Sequence, residues 1–110
     1  IARVPFDEGS LTGTLTPEST WPEGDFRNIY FAAPKLQQTL ERVAPLKQLV
    51  ESWGMTLPDV ALKFILANPA VTTVIPGMRK LGNVEANLKA GDAQLTPTQM
   101  QELRRFRWDR

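Results

Sequence analysis

Neither cysteine nor histidine occurs among the 110 residues. Their absence removes disulfides, thiolate chemistry, Cys/His zinc sites and every nucleophile activated by a histidine. It also fits a reducing compartment, so a cytoplasmic protein is expected. Excess charge of one sign is lacking too: 13 Lys+Arg against 12 Asp+Glu leave a net charge of +1. No long-range field then draws the chain to nucleic acid or to an anionic membrane, and any anion site must be local. No apolar run approaches the roughly 20 residues needed to cross a bilayer, and the opening residues lack the order of a secretion signal. With 42% hydrophobic and 23% charged residues, what is present has the make-up of a single soluble globular unit. The chain opens at Ile1 inside a strand-like IARVPF, with no initiator methionine, as expected of a piece of a longer protein.

Ile1 to Phe6 is partly β-branched and stopped by Pro5, and reads as a brief strand. From Asp7 to about Ala33, Gly, Pro, Ser and Thr are frequent and no regular period is sustained. So long a stretch either serves a binding site or is a connector; Trp21, Phe26, Tyr30 and Phe31 argue for docking. Tyr30, the sole tyrosine, has no histidine to work with and reads as a packing residue. Pro34 opens a helix whose Leu36, Leu40, Val43, Leu46, Val50 and Trp53 recur at helical spacing before Gly54 stops it. Pro45 removes one donor and crowds the carbonyl of Glu41, which predicts a kink or two abutting helices.

Thr56 and Asp59 resemble a capping box, and Pro58 is tolerated in a first turn. The helix they open carries Val60, Ala61, Leu62, Phe64, Ile65 and Leu66 around most of its circumference until Asn68 and Pro69 end it, which predicts burial on several sides. VTTVI then reads as a strand within a core. A third helix runs through Val84, Asn87 and Leu88 to Ala90, with Gly91 as its stop. A last one opens at Thr96, Pro97 and Gln99 and presents Met100, Leu103 and Phe106 on one face. Arg104, Arg105, Arg107 and Arg110 follow, a cation cluster that suits the negative end of that helix. Trp53, Trp108 and Phe64 read as core or interface residues.

Strands alternating with helices indicate parallel βαβ units, yet two strands are marginal alone and a closed barrel of this type needs eight. A lone chain is therefore expected to expose apolar surface and to self-associate. The chemistry-bearing stretch is VTTVIPGMRKLGNVEANL. A strand turns at Pro76 and Gly77 and passes Met78, Arg79 and Lys80 before a helix begins. Unpaired amides at a helix start, a glycine permitting close approach and a guanidinium fork together suit a phosphate monoester. Arg79 and Lys80 can equally be solvated cations in an ordinary β-to-α turn, since no long glycine fingerprint accompanies them.

This stretch closely resembles the last barrel strand and following loop of the aldo-keto reductases, where Ile-Pro-Gly, an Arg two residues on and a final Glu-Asn pair recur. RVPFDEGSLTG resembles the family's seventh-strand motif, GDFRN its Gly-Asp-x-Arg, and VALKFILANPAVTTVIPG its penultimate helix entering the eighth strand. These motifs cover nearly the whole chain in the family's order. The resemblance implies an α/β fold: the C-terminal portion of a (β/α)8 TIM barrel, residues 1–110 forming one partial domain that is mostly helical with two short parallel strands.

It further implies NADP(H) held over the barrel mouth. Gly77 and Met78 would contribute backbone contacts, Arg79 would face the adenosine 2′-phosphate with Asn83 beside it, and Asn87 would hydrogen-bond the adenine. Pro5, Phe6, Gly9, Leu11 and Gly13 match the loop that covers the pyrophosphate. Asp7 and Glu8 stand where small residues are usual and are expected to point to water as loop carboxylates; Ser10 replaces a Leu, Thr14 a common Lys, and Ala86 the Glu of the Glu-Asn pair. The family's catalytic Tyr, Lys, Asp and His come from earlier strands and none stands here in a matching motif. The implied function is the cofactor-binding portion of an oxidoreductase acting on aldehydes or ketones. By itself the chain is expected to be inactive. The alternative is a non-catalytic regulatory or protein-interaction module of the same fold, such as the potassium-channel β subunits.

Overall fold

A computed structural model describes residues 1–108; Arg110, counted above in the basic cluster, lies outside the described residues. The elements in chain order are β1 (Ala2–Arg3), a 3-10 segment (Asp7–Thr12), α1 (Arg27–Tyr30), α2 (Lys35–Ser52), α3 (Leu57–Leu66), β2 (Val74–Ile75), α4 (Leu81–Lys89) and α5 (Pro97–Arg104). The strands pair in parallel, with Ala2 opposite Val74 and Arg3 opposite Ile75. Both are shorter than expected. Val4 takes a φ of 53°, a costly conformation for a β-branched residue that ends extended pairing at once.

Helices α2 and α3 make the core. Thr39, Val43, Leu46 and Val50 form the buried stripe of α2 at spacings of four, three and four, which keeps one face inward. Against it lie Leu57 and Val60 of α3, with Leu95 and Leu103 closing the far side and Trp53, Met100 and Trp108 packed around the edge. Pro45 neither breaks α2 nor divides it: one helix runs from Lys35 to Ser52. The proline and Glu41, whose carbonyl loses its partner, are both exposed, so water can take up the orphaned acceptor while the opposite face stays packed.

The caps follow the sequence with one difference. Thr96 and Gln99 form a reciprocal capping box on α5, Gln99 N–H donating to Thr96 Oγ1 at 3.1 Å and Thr96 N–H to Gln99 Oε1 at 2.9 Å. At α3 only half of the expected box is made. Thr56 Oγ1 accepts from Asp59 N–H at 3.4 Å, while the Asp59 carboxylate accepts from Lys63 Nζ at 2.8 Å one turn on. Aspartate is one methylene shorter than the Glu of a full box and meets a cation instead.

The stretch from Asp7 to Ala33 is not a featureless loop. Trp21 stacks on Phe31 at 5.1 Å, Tyr30 meets Phe31 edge-on at 5.0 Å, and Phe26 tilts against Tyr30 at 5.7 Å. Asp25 anchors this cluster: its carboxylate accepts from Arg27 Nε at 3.0 Å, Arg27 Nη2 at 2.7 Å and the Arg27 backbone N–H at 2.9 Å. The Arg27 guanidinium also lies 5.6 Å from the Trp21 ring, within cation–π range. Its side-chain hydrogen bonds, helped by the backbone N–H, hold the Asp25 carboxyl below the usual carboxylate value, at about 2.

Two expectations of burial fail. Ile75 of β2 is 55% exposed, because a two-stranded sheet leaves an unpartnered face and outer edges on both strands. Phe64 and Leu66 of α3 are likewise exposed. The accessible surface totals 7730 Å², whereas monomers of 12.3 kDa average about 6,100 Å². The radius of gyration is 14.2 Å, against roughly 13 Å for a compact chain of this length. Apolar faces stand open where a barrel would carry its next layer.

Leu62, among the most deeply buried side chains, should cost about 3 kcal/mol when cut to alanine, and Leu88→Ala on the open face of α4 less than about 0.5 kcal/mol. Urea unfolding that ranks the two equally contradicts this account of the core. Asp25 has a folded-state pKa below its unfolded value, so its contribution to stability is complete above about pH 4 and is lost as pH falls through about 2. An NMR titration of its carboxyl should show a midpoint near 2, and a midpoint near 4 contradicts the ion pair.

Candidate functional site

The parallel register decides which loops share an end of the fold. Past Arg3 the chain runs into Val4, Pro5 and Phe6; past Ile75 it runs into Pro76, Gly77 and Met78. With Arg3 opposite Ile75, both segments leave the sheet in the same direction from neighbouring strands. The two groups of sequence-predicted residues, Pro5 to Gly13 and Gly77 to Asn87, thus sit at one end although some 70 residues separate them in sequence.

The first loop is a tight, left-handed device. Asp7 and Glu8 take φ values of 50° and 56°, and Gly9 reaches 112°, where a side chain is strained. The Phe6 carbonyl accepts from both Gly9 N–H at 3.0 Å and Leu11 N–H at 3.1 Å. Ser10 is buried, its hydroxyl donating to the Asp7 carbonyl at 2.8 Å, and Thr12 Oγ1 donates to the Gly9 carbonyl at 2.7 Å. Pro5 is buried and Leu11 packs on the helical core. Gly13 closes the turn with a φ of 74°, and a Cβ there would meet Leu57 Cδ1 at 3.5 Å.

Asp7 and Glu8 do not simply face water. Both are half-buried, and the Asp7 carboxylate accepts a hydrogen bond from the Tyr30 hydroxyl, 23 residues away in the chain. The Arg27 guanidinium is held above its usual pKa chiefly by its hydrogen bonds to Asp25 and, to a smaller degree, by the charge of Glu8. The two acidic residues are thus engaged by the aromatic segment. Tyr30, read from sequence as packing alone, packs and also donates; no local spacing could reveal a partner so distant.

The second loop is open. Gly77 has free space where a Cβ would stand, and Met78, Arg79, Lys80 and Asn83 are exposed. None of the ion pairs among the described residues uses Arg79 or Lys80. Lys80 is the extended N-cap of α4, and no side chain caps that helix, so its first amides and both cations remain available for an anion. Asn87 reaches back from α4, its Nδ2 donating to the Gly77 carbonyl at 3.2 Å, which ties the segment after β2 to the helix. Its Oδ1 remains an acceptor. Ala86 is exposed beside it.

An apolar groove of about 630 Å³ lies elsewhere, lined by Leu57, Phe64, Leu103 and Trp108 among others. It touches Pro5 and Leu11 of the first loop but no residue from 76 to 87. What the end with the two loops can do chemically is bind: it offers cations, amides and a glycine turn.

The family model for the aldo/keto reductase family matches residues 1–107. The chain is 32% identical over 108 residues to the aldo-keto reductase str7 of Strobilurus tenacellus, an alignment that covers 96% of this chain and 32% of that protein. It is 28% identical over 109 residues to a Schizosaccharomyces pombe aldo-keto reductase, yakc, whose name carries NADP(+), covering 94% and 31% of the two. It is 28% identical over 100 residues to a probable voltage-gated potassium channel subunit beta of Arabidopsis thaliana, covering 84% and 30%. The chain thus spans about a third of the length of these curated relatives. A parallel strand pair joined through long helices, with the family's motifs at the carboxyl ends of its strands, is part of a (β/α)8 barrel, and the chain belongs to the aldo/keto reductase family.

Proposed function

We propose that this chain holds the adenosine end and the pyrophosphate of NADP(H) in a cytoplasmic oxidoreductase that reduces aldehydes or ketones. The observation that carries the reading is the parallel register, which brings the first loop and the Gly77–Lys80 loop to one end. Its donor set fits the cofactor: an unpaired guanidinium and ammonium beside uncapped amides match a 2′-phosphate, and the free space at Gly77 admits a backbone approach. Gly77 and Met78 contribute main-chain contacts, Arg79 and Asn83 flank the 2′-phosphate, and Asn87 presents its Oδ1 to the adenine. Pro5, Phe6, Gly9, Leu11 and Gly13 shape the loop over the pyrophosphate.

When bound, NADPH supplies the hydride. This chain's residues bind and orient it, while proton donation to the carbonyl oxygen belongs to residues in the remainder of a complete barrel, as does the substrate pocket. The 110 residues form one partial domain with neither a nucleic-acid nor a membrane partner. A regulatory role is the second reading, favoured by the surface left open on α3 and α4 and by the relative named as a channel subunit.

Arg79→Ala should weaken NADPH binding about tenfold, the loss of one charge-assisted contact, and leave NADH binding unchanged. A fluorescence titration in which both weaken equally removes the 2′-phosphate assignment. Adding a carbonyl substrate to the same mixture should give no NADPH oxidation, since none of the family's catalytic residues stands here in a matching motif.

The open faces, with Leu81 at 74% and Leu88 at 69% exposure, should drive self-association of this chain. Sedimentation velocity should show mass rising with concentration. A compact monomer at every concentration that binds no apolar dye contradicts this.

A further inference from the structure

The first loop carries a conformational cost that its own sequence does not offset. Val4, Asp7 and Glu8, three residues with side chains, all have positive φ. Such backbone is unfavourable for residues with a Cβ and persists only where the surroundings over-determine it. Hydrogen bonds inside the loop, such as Asp7 N–H to the Val4 carbonyl at 3.1 Å, define the turn, and Leu11 packs its far end on the helical core. The Asp7 end is also met by α1. Tyr30, its last residue, is flanked by Phe26 and Phe31; Phe31 stacks on Trp21, over which lies the Arg27 guanidinium held by Asp25. From that platform its hydroxyl donates to the Asp7 carboxylate.

We propose that Tyr30 is a positioning residue for the pyrophosphate-facing loop: its hydrogen bond to Asp7 clamps the left-handed turn onto the aromatic segment 21–31. The clamp itself rests on the observed contact, and its consequence for binding rests on the cofactor reading above. Order in the two segments is coupled, so loosening the aromatic segment loosens the loop.

The test uses Tyr30→Phe, which keeps the ring and removes the donor, and Asp7→Asn, which keeps an acceptor and suits a left-handed backbone. In the nucleotide-free chain, amide hydrogen exchange at residues 7–12 should quicken about fivefold or more in Tyr30→Phe and stay protected in Asp7→Asn, with α2 and α3 unchanged in both. Unchanged exchange at 7–12 in Tyr30→Phe, or a rise spread equally over α2 and α3, overturns the clamp. For binding, Tyr30→Phe should weaken NADPH about fivefold yet leave adenosine 2′,5′-bisphosphate, which lacks the pyrophosphate, untouched. Asp7→Asn should bind NADPH at least as tightly as the unaltered chain. Equal weakening of both nucleotides in Tyr30→Phe overturns the positioning role. Failure of the unaltered chain to bind either nucleotide refutes the cofactor reading, while the exchange measurement still decides the clamp.

Discussion

Ala2 and Arg3 lie beside Val74 and Ile75 in parallel, and the placement of both loops depends on this pairing. It contributes little free energy, because two strands of two residues bury almost nothing and form few bonds. Its importance is geometric. Parallel strands send their following loops out at the same end, so the loop after Arg3 and the segment after Ile75 leave the sheet in the same direction. An antiparallel pairing of the same residues would place the two loops at opposite ends and leave neither with a partner.

So slight a pairing needs support, and α2 and α3 provide it. Val43, Leu46 and Val50 of one helix close on Leu57 and Val60 of the other, and Leu11 carries the first loop onto that same core. The loop is therefore anchored at its far end by packing and at its near end by the strand. Where this support stops, the chain is open: α4 buries none of its own residues, and it is α4 that carries Asn87 and follows Arg79. One end of the candidate site is firm and the other stands on a helix whose packing layer is incomplete.

The charges of the site obey the same division. Arg79 and Lys80 have no acidic partner among the described residues and can serve a ligand. Asp7, which would oppose an anion, accepts a hydrogen bond from Tyr30. Charge is thus sorted over a short distance in a chain whose overall balance is +1.

Much of this was legible in the amino-acid order, because it depends on neighbours a few residues apart. The ends of α2, α3 and α5 and the caps at Thr56 and Thr96 follow from local sterics and hydrogen bonding, and the periodicity of Val43, Leu46 and Val50 announced the buried face. Family motifs identified the barrel portion. Tertiary structure alone decided the rest. Pro45 is harmless because its side of α2 faces water, Thr39 is inside because its turn of the helix points inward, and Asp7 is held because Tyr30 arrives from 23 residues away. Those outcomes depend on which surfaces meet, and no spacing along the chain encodes that.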